Sequence, residues 1–521
     1  MKVFISKTGV LLILTLLVFA SCKNAGKRHL MTKLPYSSPE KQGVGTESVL
    51  HFFEAIETEG LEIHSFMLIR HGHIIAEAWW SPYKADVNQI VHSISKTFTA
   101  TAIGFAVDEG LLTVDDPVIS FFPDDVPAEV SPYLKGLTIK HLLTMSVGHD
   151  SPPVFDITDK NWAKSFLATP IVNEPGTVFS YSSPASYMLS AIIQKASKQT
   201  VFDYLKPRLF EPLGMEDIRW EVDAQGINFG GWGLRLKTAD MAKLGQLYLQ
   251  KGKWNGQQLI SADWIEEATS VQIDQIKEPT EEQRLQDEGA QGYGYQVWRC
   301  THNAYRADGA NGQYIVVMPE QDAVVVVTGN VKVGRRILQL VWNSLLPGML
   351  DKPSYANKDM NEFLISRVSS LEISNPFFTD EEHVVPEKKE PQTFVFNSND
   401  QQIEQVTFEF GQHEGGKFCI RIAGQMYDYP YGLDAWKYGL TDRPGTCFLN
   451  SHRNPEGLSP FTIAGYGSWT KPDELSLRLL YLTEGQHETY VCNFKQDQLT
   501  LSISNSMQPD EQPVVLTGVL R

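Results

Sequence analysis

Ser93 and Lys96, three residues apart in Val91-His92-Ser93-Ile94-Ser95-Lys96-Thr97-Phe98, are the pair in this chain best spaced to do chemistry together. Ile103, Phe105 and Ala106 continue a helical pattern to Gly110. If Ser93 opens that helix, Lys96 falls one turn on and on the same face, so its amine can reach the serine hydroxyl. A serine hydroxyl is a weak nucleophile without a neighbouring base. A lysine that burial has pushed toward neutrality can be that base. The helix N-terminus adds free N–H groups and the positive end of a dipole, both suited to an oxyanion.

Ser-x-x-Lys occurs three more times, and context separates the copies. Ser38-Pro39-Glu40-Lys41 and Ser81-Pro82-Tyr83-Lys84 carry proline directly after serine and read as loop. Ser468-Trp469-Thr470-Lys471 lies between Gly467 and Pro472, which leaves no room for a helix. On two residues alone, the Ser93 copy reads more readily as an N-cap serine beside a solvated lysine. Other residues have to change that balance.

Tyr181 is the next candidate. Pro175-Gly176 makes a turn and Ser183-Pro184 opens a helix through Ala185 to Ala196, so Tyr181 sits on a loop at a helix start. Its phenol is then free to enter a cleft. A nearby ammonium would lower the phenol pKa and let it shuttle protons, whereas the plain alternative is a core tyrosine. Trp232, in the glycine-dense turn Gly230-Gly231-Trp232-Gly233, either walls a pocket or fills the core. His149 beside Asp150 invites a triad, but no Gly-x-Ser-x-Gly elbow occurs to supply its nucleophile. His71 and His73 flank a turn with no carboxylate cluster, which makes them solvent-facing rather than a metal pair.

The elements that must position these residues follow from periodicity. Helices are expected over Thr46–Glu59, Thr138–Met145, Ala239–Leu249 capped by Thr238, Ala262–Thr269 capped by Ser261, and Val333–Leu346. A hairpin is expected from Ser65–Arg70 and Ile74–Trp80. Strands are expected over Tyr293–Arg299, Asn303–Ala307, Gln313–Met318 and Ala323–Thr328. Residues 351–392 change to a charged, proline-containing stretch, read as helix remnant plus linker. From 393 to 521 short alternating strands predict an all-β domain of sandwich or barrel type.

The length of 521 residues accommodates two or more domains, and 42% hydrophobic with 21% charged residues describes an ordinary globular chain. A net charge of −17 argues against nucleic-acid binding as the main role. Lys2 and Lys7, an apolar run from Val10 to Ala20 and then Ser21-Cys22 resemble a bacterial lipoprotein signal, with Phe19 where leucine is usual. The expectation is a signal peptide over 1–21, a lipidated Cys22 and a tether over 22–44. The protein would then be exported, to the periplasm or cell surface, touching membrane through the anchor only. A plain secretory signal is the alternative. Of five cysteines, Cys300, Cys419, Cys447 and Cys492 remain; one bridge among the last three is possible, but buried free thiols are the preferred reading.

Taken in order, Ser93-x-x-Lys96, Tyr181-Ser182-Ser183 and a strand ending near Gly309-Ala310-Asn311-Gly312 resemble the serine β-lactamase and penicillin-binding family. The branch most similar is that of class C β-lactamases, esterases and 6-aminohexanoate-dimer hydrolases. Leu111-Leu112-Thr113-Val114-Asp115-Asp116-Pro117, Ile139 to Met145, Gly231 to Trp264 and Gly312 to Pro319 read like that family too, and the resemblance covers about Glu47 to Pro347. It implies an α/β (α+β) catalytic domain over 45–350, an antiparallel sheet flanked by helices, working without metal or cofactor. Ser93 would be the acylated nucleophile, Lys96 its base and Tyr181 the proton shuttle. The oxyanion hole would be the N–H groups of Ser93 and of Ala310 on the edge strand.

Two departures bear on the substrate. Ser183 stands where lactamases have asparagine, and Ala307-Asp308-Gly309 stands where they have Lys-Thr-Gly. The substrate-binding candidates are therefore Ser183, Trp232, Asp308 and Gly309, with no cation for a substrate carboxylate unless Arg306 points inward. The resemblance then implies a serine hydrolase for small-molecule or peptide-like esters or amides. A D-alanyl-D-alanine carboxypeptidase or β-lactamase is the alternative within the fold. A non-catalytic binding protein is the alternative of another class.

Overall fold

The structure, a computed structural model, describes residues 33–355, 357–374, 377, 390–411, 415–433, 435–446 and 454–521. After α1 (Thr46–Thr58) come β1 (Ile63–Arg70), β2 (His73–Trp79) and β3 (Gln89–Ile90). The Ser93 segment follows as a 3-10 turn, His92–Ile94, running into α2 (Ser95–Asp108). Next are α3 (Ile139–Leu143), α4 (Ser183–Ser197), β4 (Arg219–Trp220), β5 (Leu234–Leu236) and α5 (Thr238–Leu249). The strands β6 (Trp298–Arg299), β7 (Tyr305–Gly309), β8 (Gln313–Met318) and β9 (Ala323–Gly329) lead to α6 (Lys358–Ser369).

Six of these strands form one antiparallel sheet in the order β2-β1-β9-β8-β7-β6. Alternation along the strands sorts their side chains into two layers. Met67, Ile69, Ile315, Val317, Val324 and Val326 face the cluster that holds α2, α4 and α5. Phe66, Leu68, Val316, Met318, Val325 and Val327 face the cluster that holds α1 and residues 337–345. Covered on both faces, β1 and β9 are buried along their whole length and read as near-continuous apolar runs. β3, β5 and β4 make a separate three-stranded sheet, in that order, directly before the Ser93 turn.

Some expected elements end differently. The strand expected over Tyr293–Arg299 is regular only at Trp298–Arg299, because Gln296 adopts a left-handed φ of 56° and breaks the pleat. Thr238 is the first residue of α5 rather than its cap; its hydroxyl hydrogen-bonds Ser65 Oγ at 2.7 Å. Ser261 does cap its helix, accepting from the Trp264 N–H at 3.2 Å. Residues assigned to the tether are partly docked: Ile74 donates to Pro35 O and Ser37 donates to Ile74 O. The helix remnant expected in the linker is α6, and the linker is partly docked: the Ser81 N–H donates to Leu371 O and the Ile373 N–H donates to Ser81 O.

The C-terminal part is all-β. β10 (Gln392–Phe396), β11 (Ile403–Phe410), β12 (Gly416–Ile422), β13 (Gln425–Tyr431) and β14 (Lys437–Thr441) are followed by β15 (Phe461–Lys471), β16 (Glu474–Tyr481), β17 (Gln486–Lys495), β18 (Gln498–Asn505) and β19 (Val514–Leu520). They pair antiparallel in the order β13-β12-β11-β10-β19-β18-β17-β16-β15-β14. Gly432, just past β13, exchanges backbone bonds with Gly465 and Gly467 of β15, so the sheet closes on itself. Of the sandwich and the barrel, this is the barrel; closure leaves few free edges. Its interior is filled by Phe394, Phe408, Phe418, Leu477, Leu479 and Leu501 among others.

Cys300, Cys419 and Cys492 are buried free thiols. Cys22, Cys447 and the signal-like segment lie outside the described residues. Among the described residues no helix is long and apolar enough to cross a membrane, and no His/Cys/Asp/Glu group is arranged to hold a metal.

Candidate active site

α2 is an unusual helix because nearly all of it is buried, from Ser95 to Ala106. Its polar side chains are consequently spent on fixed partners. Ser95 Oγ donates to His92 O at 2.6 Å, Thr97 Oγ1 to Gln296 O at 2.9 Å and Thr99 Oγ1 to Gly230 O at 2.8 Å. His92, a non-glycine residue at φ 46°, turns the chain sharply just ahead of Ser93. Ser93 therefore does not open the α-helix as expected; it sits in the 3-10 turn that precedes it. The i to i+3 relation to Lys96 survives because a 3-10 turn stacks those positions.

Lys96 is 1% exposed. Its Nζ donates to Ser93 Oγ at 2.9 Å, to Ser183 Oγ at 3.0 Å and to the Gly231 carbonyl at 2.7 Å. All three acceptors are neutral, and burial pulls its pKa down from 10.5 to about 7. The base form of the amine is thus within reach near neutral pH, one hydrogen bond from a hydroxyl. Ser183, expected to touch substrate, is a hydrogen-bond partner of the lysine, its hydroxyl accepting from Nζ.

Tyr181 lies on the other side of the pair, with Lys96 Nζ 4.8 Å from its ring centroid. The residue is 36% exposed, stacked on Trp298 with centroids 5.4 Å apart. Burial of the phenol end raises its pKa, Asp308 adds to the rise, and hydrogen bonding with Ser93 opposes it. The direction is the opposite of the lowering expected from an ammonium, because desolvation is the largest influence on the phenol. Tyr181 therefore keeps its phenol proton at neutral pH.

β7 brings the third motif. A Cβ on Gly309 would lie 2.5 Å from the Val91 carbonyl oxygen, so the end of β7 meets the chain two residues before Ser93 in a way only glycine permits. Ala310 belongs to the turn after β7, not to the strand, and β6 rather than β7 is the sheet edge. Asp308 accepts from Arg306 Nε at 2.9 Å. Burial pushes the Asp308 carboxyl up and Arg306 pulls it back. Arg306 is 4% exposed, lies 3.5 Å from Glu288, and has its guanidinium over Trp298. It does point inward, but it is held by two carboxylates.

Trp232 takes the packing role. It is half-buried, 4.8 Å from Phe229 and stacked 6.0 Å from Trp162, while its carbonyl accepts from Trp220 Nε1 at 2.9 Å. Three supports had no sequence signal: the Gly231 carbonyl, Trp298 under Tyr181, and Gln296. The last accepts from Ser186 at 2.6 Å and donates to Leu142 O and Leu143 O, tying α2, α3 and α4 together. His149 is buried against Phe166, and burial lowers its pKa to about 4.

A serine and a buried lysine at the start of a helix, a tyrosine beside them and an antiparallel sheet behind define the serine hydrolases of β-lactamase type. The chain belongs to the beta-lactamase family, whose sequence model matches residues 53–339. It is 23% identical over 286 residues to 6-aminohexanoate-dimer hydrolase of Paenarthrobacter ureafaciens, spanning 50% of this chain and 71% of that one. It is 30% identical over 160 residues to penicillin-binding protein 4 of Amycolatopsis lactamdurans, spanning 30% of this chain and 39% of that one. A solved structure of a candidate beta-lactamase from Bacteroides dorei DSM 17855 shares the fold, with a TM-score of 0.50 and 16% identity over 58% of this chain and 99% of that chain.

Proposed function

We propose that this protein hydrolyses esters or uncharged amides through an acyl-Ser93 intermediate. The observation that carries the reading is the 2.9 Å bond between Ser93 Oγ and a fully buried Lys96 held near pKa 7. Neutral Lys96 takes the hydroxyl proton as Oγ attacks the substrate carbonyl. The oxyanion of the tetrahedral intermediate is met by the N–H groups of Ser93 and Ala310. Tyr181 gives its phenol proton to the leaving atom and is reprotonated from the Lys96 ammonium, and expulsion leaves the acyl-serine. Water then attacks the ester with the same groups working in reverse, and Oγ leaves with the proton returned to it.

The substrate preference rests on the third motif. Arg306 is paired with Asp308 and Glu288, so it is not a free cation for the terminal carboxylate of a β-lactam or a D-alanyl-D-alanine peptide. Hydrolysis of a neutral short-chain ester, compared with a D-Ala-D-Ala peptide and a β-lactam, tests this. The expected kcat/KM is at least about 100-fold higher for the ester, and absent in Ser93→Ala. A peptide or β-lactam turned over faster than the ester overturns the preference. We also propose that Cys22 anchors the exported protein by lipid; the support is the signal-like sequence. Cys22→Ala moving the protein from the membrane to the soluble fraction is the expected result.

A further inference from the structure

We propose that the barrel helps to aim the nucleophile: the turn between β16 and β17, Leu482 to Gly485, positions Ser93, and Glu484 is its positioning residue. This rests on the reading of Ser93 as nucleophile. The strand that leads into Ser93 is only two residues long, Gln89–Ile90, and on one side it pairs with β5. On the barrel side the Ile90 N–H donates to the Thr483 carbonyl at 2.8 Å, so the turn extends that small sheet by one backbone bond. The Val91 N–H donates to Leu234 O at 2.9 Å, and Ser93 follows two residues later.

The side chains reinforce the same place. Arg235, the register partner of Ile90, is 1% exposed. Glu484 holds it through both carboxylate oxygens, Nε at 2.8 Å and Nη2 at 2.9 Å, and Glu221 holds Nη2 at 2.9 Å. Arg235 Nη1 also donates to the Gly233 carbonyl at 3.0 Å, two residues after the Gly231 carbonyl that receives Lys96. One guanidinium therefore ties the barrel turn that bonds Ile90 to the glycine turn that binds the lysine. Glu221 accepts from the Asn454 N–H at 2.9 Å, a second barrel contact on the same cluster. Leu480 and Leu482 pack in the layer that contains Phe66 and Leu68, which fixes the turn against the main sheet.

Loss of Glu484 leaves the pair Arg235–Glu221 neutral. The substitution Glu484→Gln thus removes bidentate geometry without stranding an unpaired charge. Small displacements of a nucleophile cost rate out of proportion to stability. The test uses the full chain, measuring labelling of Ser93 by a fluorophosphonate and kcat and KM for an ester, per folded molecule and with Tm alongside. Glu484→Gln is expected to lower the labelling rate and kcat by 10-fold or more with KM within about twofold, and Glu484→Asp to recover part of it. Leu501→Ala, in the barrel core, lowers Tm and leaves the labelling rate unchanged. Labelling of Glu484→Gln at the wild-type rate overturns the proposal. If that variant does not fold, wild-type labelling of Glu484→Asp does the same. An unlabelled wild-type Ser93 is a different failure, that of the nucleophile assignment itself.

Discussion

At the scale of single residues, the protonation of Lys96 governs the account. Its amine becomes a base as pH rises through about 7, so kcat/KM for an ester is expected to rise along a limb centred there, measured by a pH profile at low substrate. The same shift has a stability signature. The unfolded chain protonates this lysine below about 10.5 and the folded chain only below about 7, so between those values the unfolded state binds more protons. Stability of the wild type relative to Lys96→Met is therefore expected to fall by roughly 1.4 kcal/mol for each unit that pH drops through this window, and to level off below it. Urea titrations of the two proteins across pH 6–11 measure that difference. Tyr181→Phe is expected to lower kcat by about 100-fold or more for alkyl esters and far less for nitrophenyl esters, whose leaving group needs no proton. Equal losses on both substrates would remove Tyr181 from the proton path. The serine, lysine and tyrosine were singled out in sequence by the order of three separated motifs, since Ser-x-x-Lys alone reads more readily as a cap. Their partners were not: Ser183 looked like a weakened substrate contact because its link to Lys96 spans 87 positions.

At the scale of elements, β7 and the Ser93 turn form one unit through Gly309. Gly309→Ala pushes a Cβ to 2.5 Å from the Val91 carbonyl, so one backbone must move. The expected outcome is a fall of at least about 10-fold in Ser93 labelling with most of the fold retained, read by labelling rate and circular dichroism together. Unchanged labelling would mean that β7 does not set the serine's position. Long periodic elements were readable: β8 occupies the expected residues, and α4 differs from expectation by a residue or two. Local geometry set by tertiary contacts was not. Left-handed backbone at His92 and Gln296 turned an expected helix start into a 3-10 turn and an expected strand into a bend. In the all-β part, where strands were expected only over Gln405–Phe410, Phe418–Ile422, Leu475–Leu482, Glu488–Phe494, Leu499–Ile503 and Val514–Leu520, β10, β13, β14 and β15 went unrecognised; glycine, proline and aromatic residues interrupt the alternation of the last three.

At the scale of the molecule, the sequence suggested a catalytic domain, a linker and a separate β domain. The structure joins them. Trp436 donates to Glu372 at 2.8 Å, Arg478 binds Glu62 at 2.7 Å, and barrel residues share an apolar layer with the main sheet. None of these pairs is close in sequence, so no local pattern announces them. Inside the barrel, Arg443 is paired with a buried Glu488, which also accepts from Tyr481 and Tyr490. Glu488→Gln is expected to destabilise by about 3 kcal/mol, because it leaves Arg443 without its countercharge, while Ser93 labelling per folded molecule holds. Thermal melts and labelling on the same sample check both halves. The most direct test of the central claim is peptide mapping by mass spectrometry after acid-quenched reaction with a nitrophenyl ester. An acyl mass on the peptide containing Ser93, absent in Ser93→Ala and strongly reduced in Lys96→Ala, is the predicted result. Steady ester turnover by Ser93→Ala, or an adduct on another residue, would contradict it.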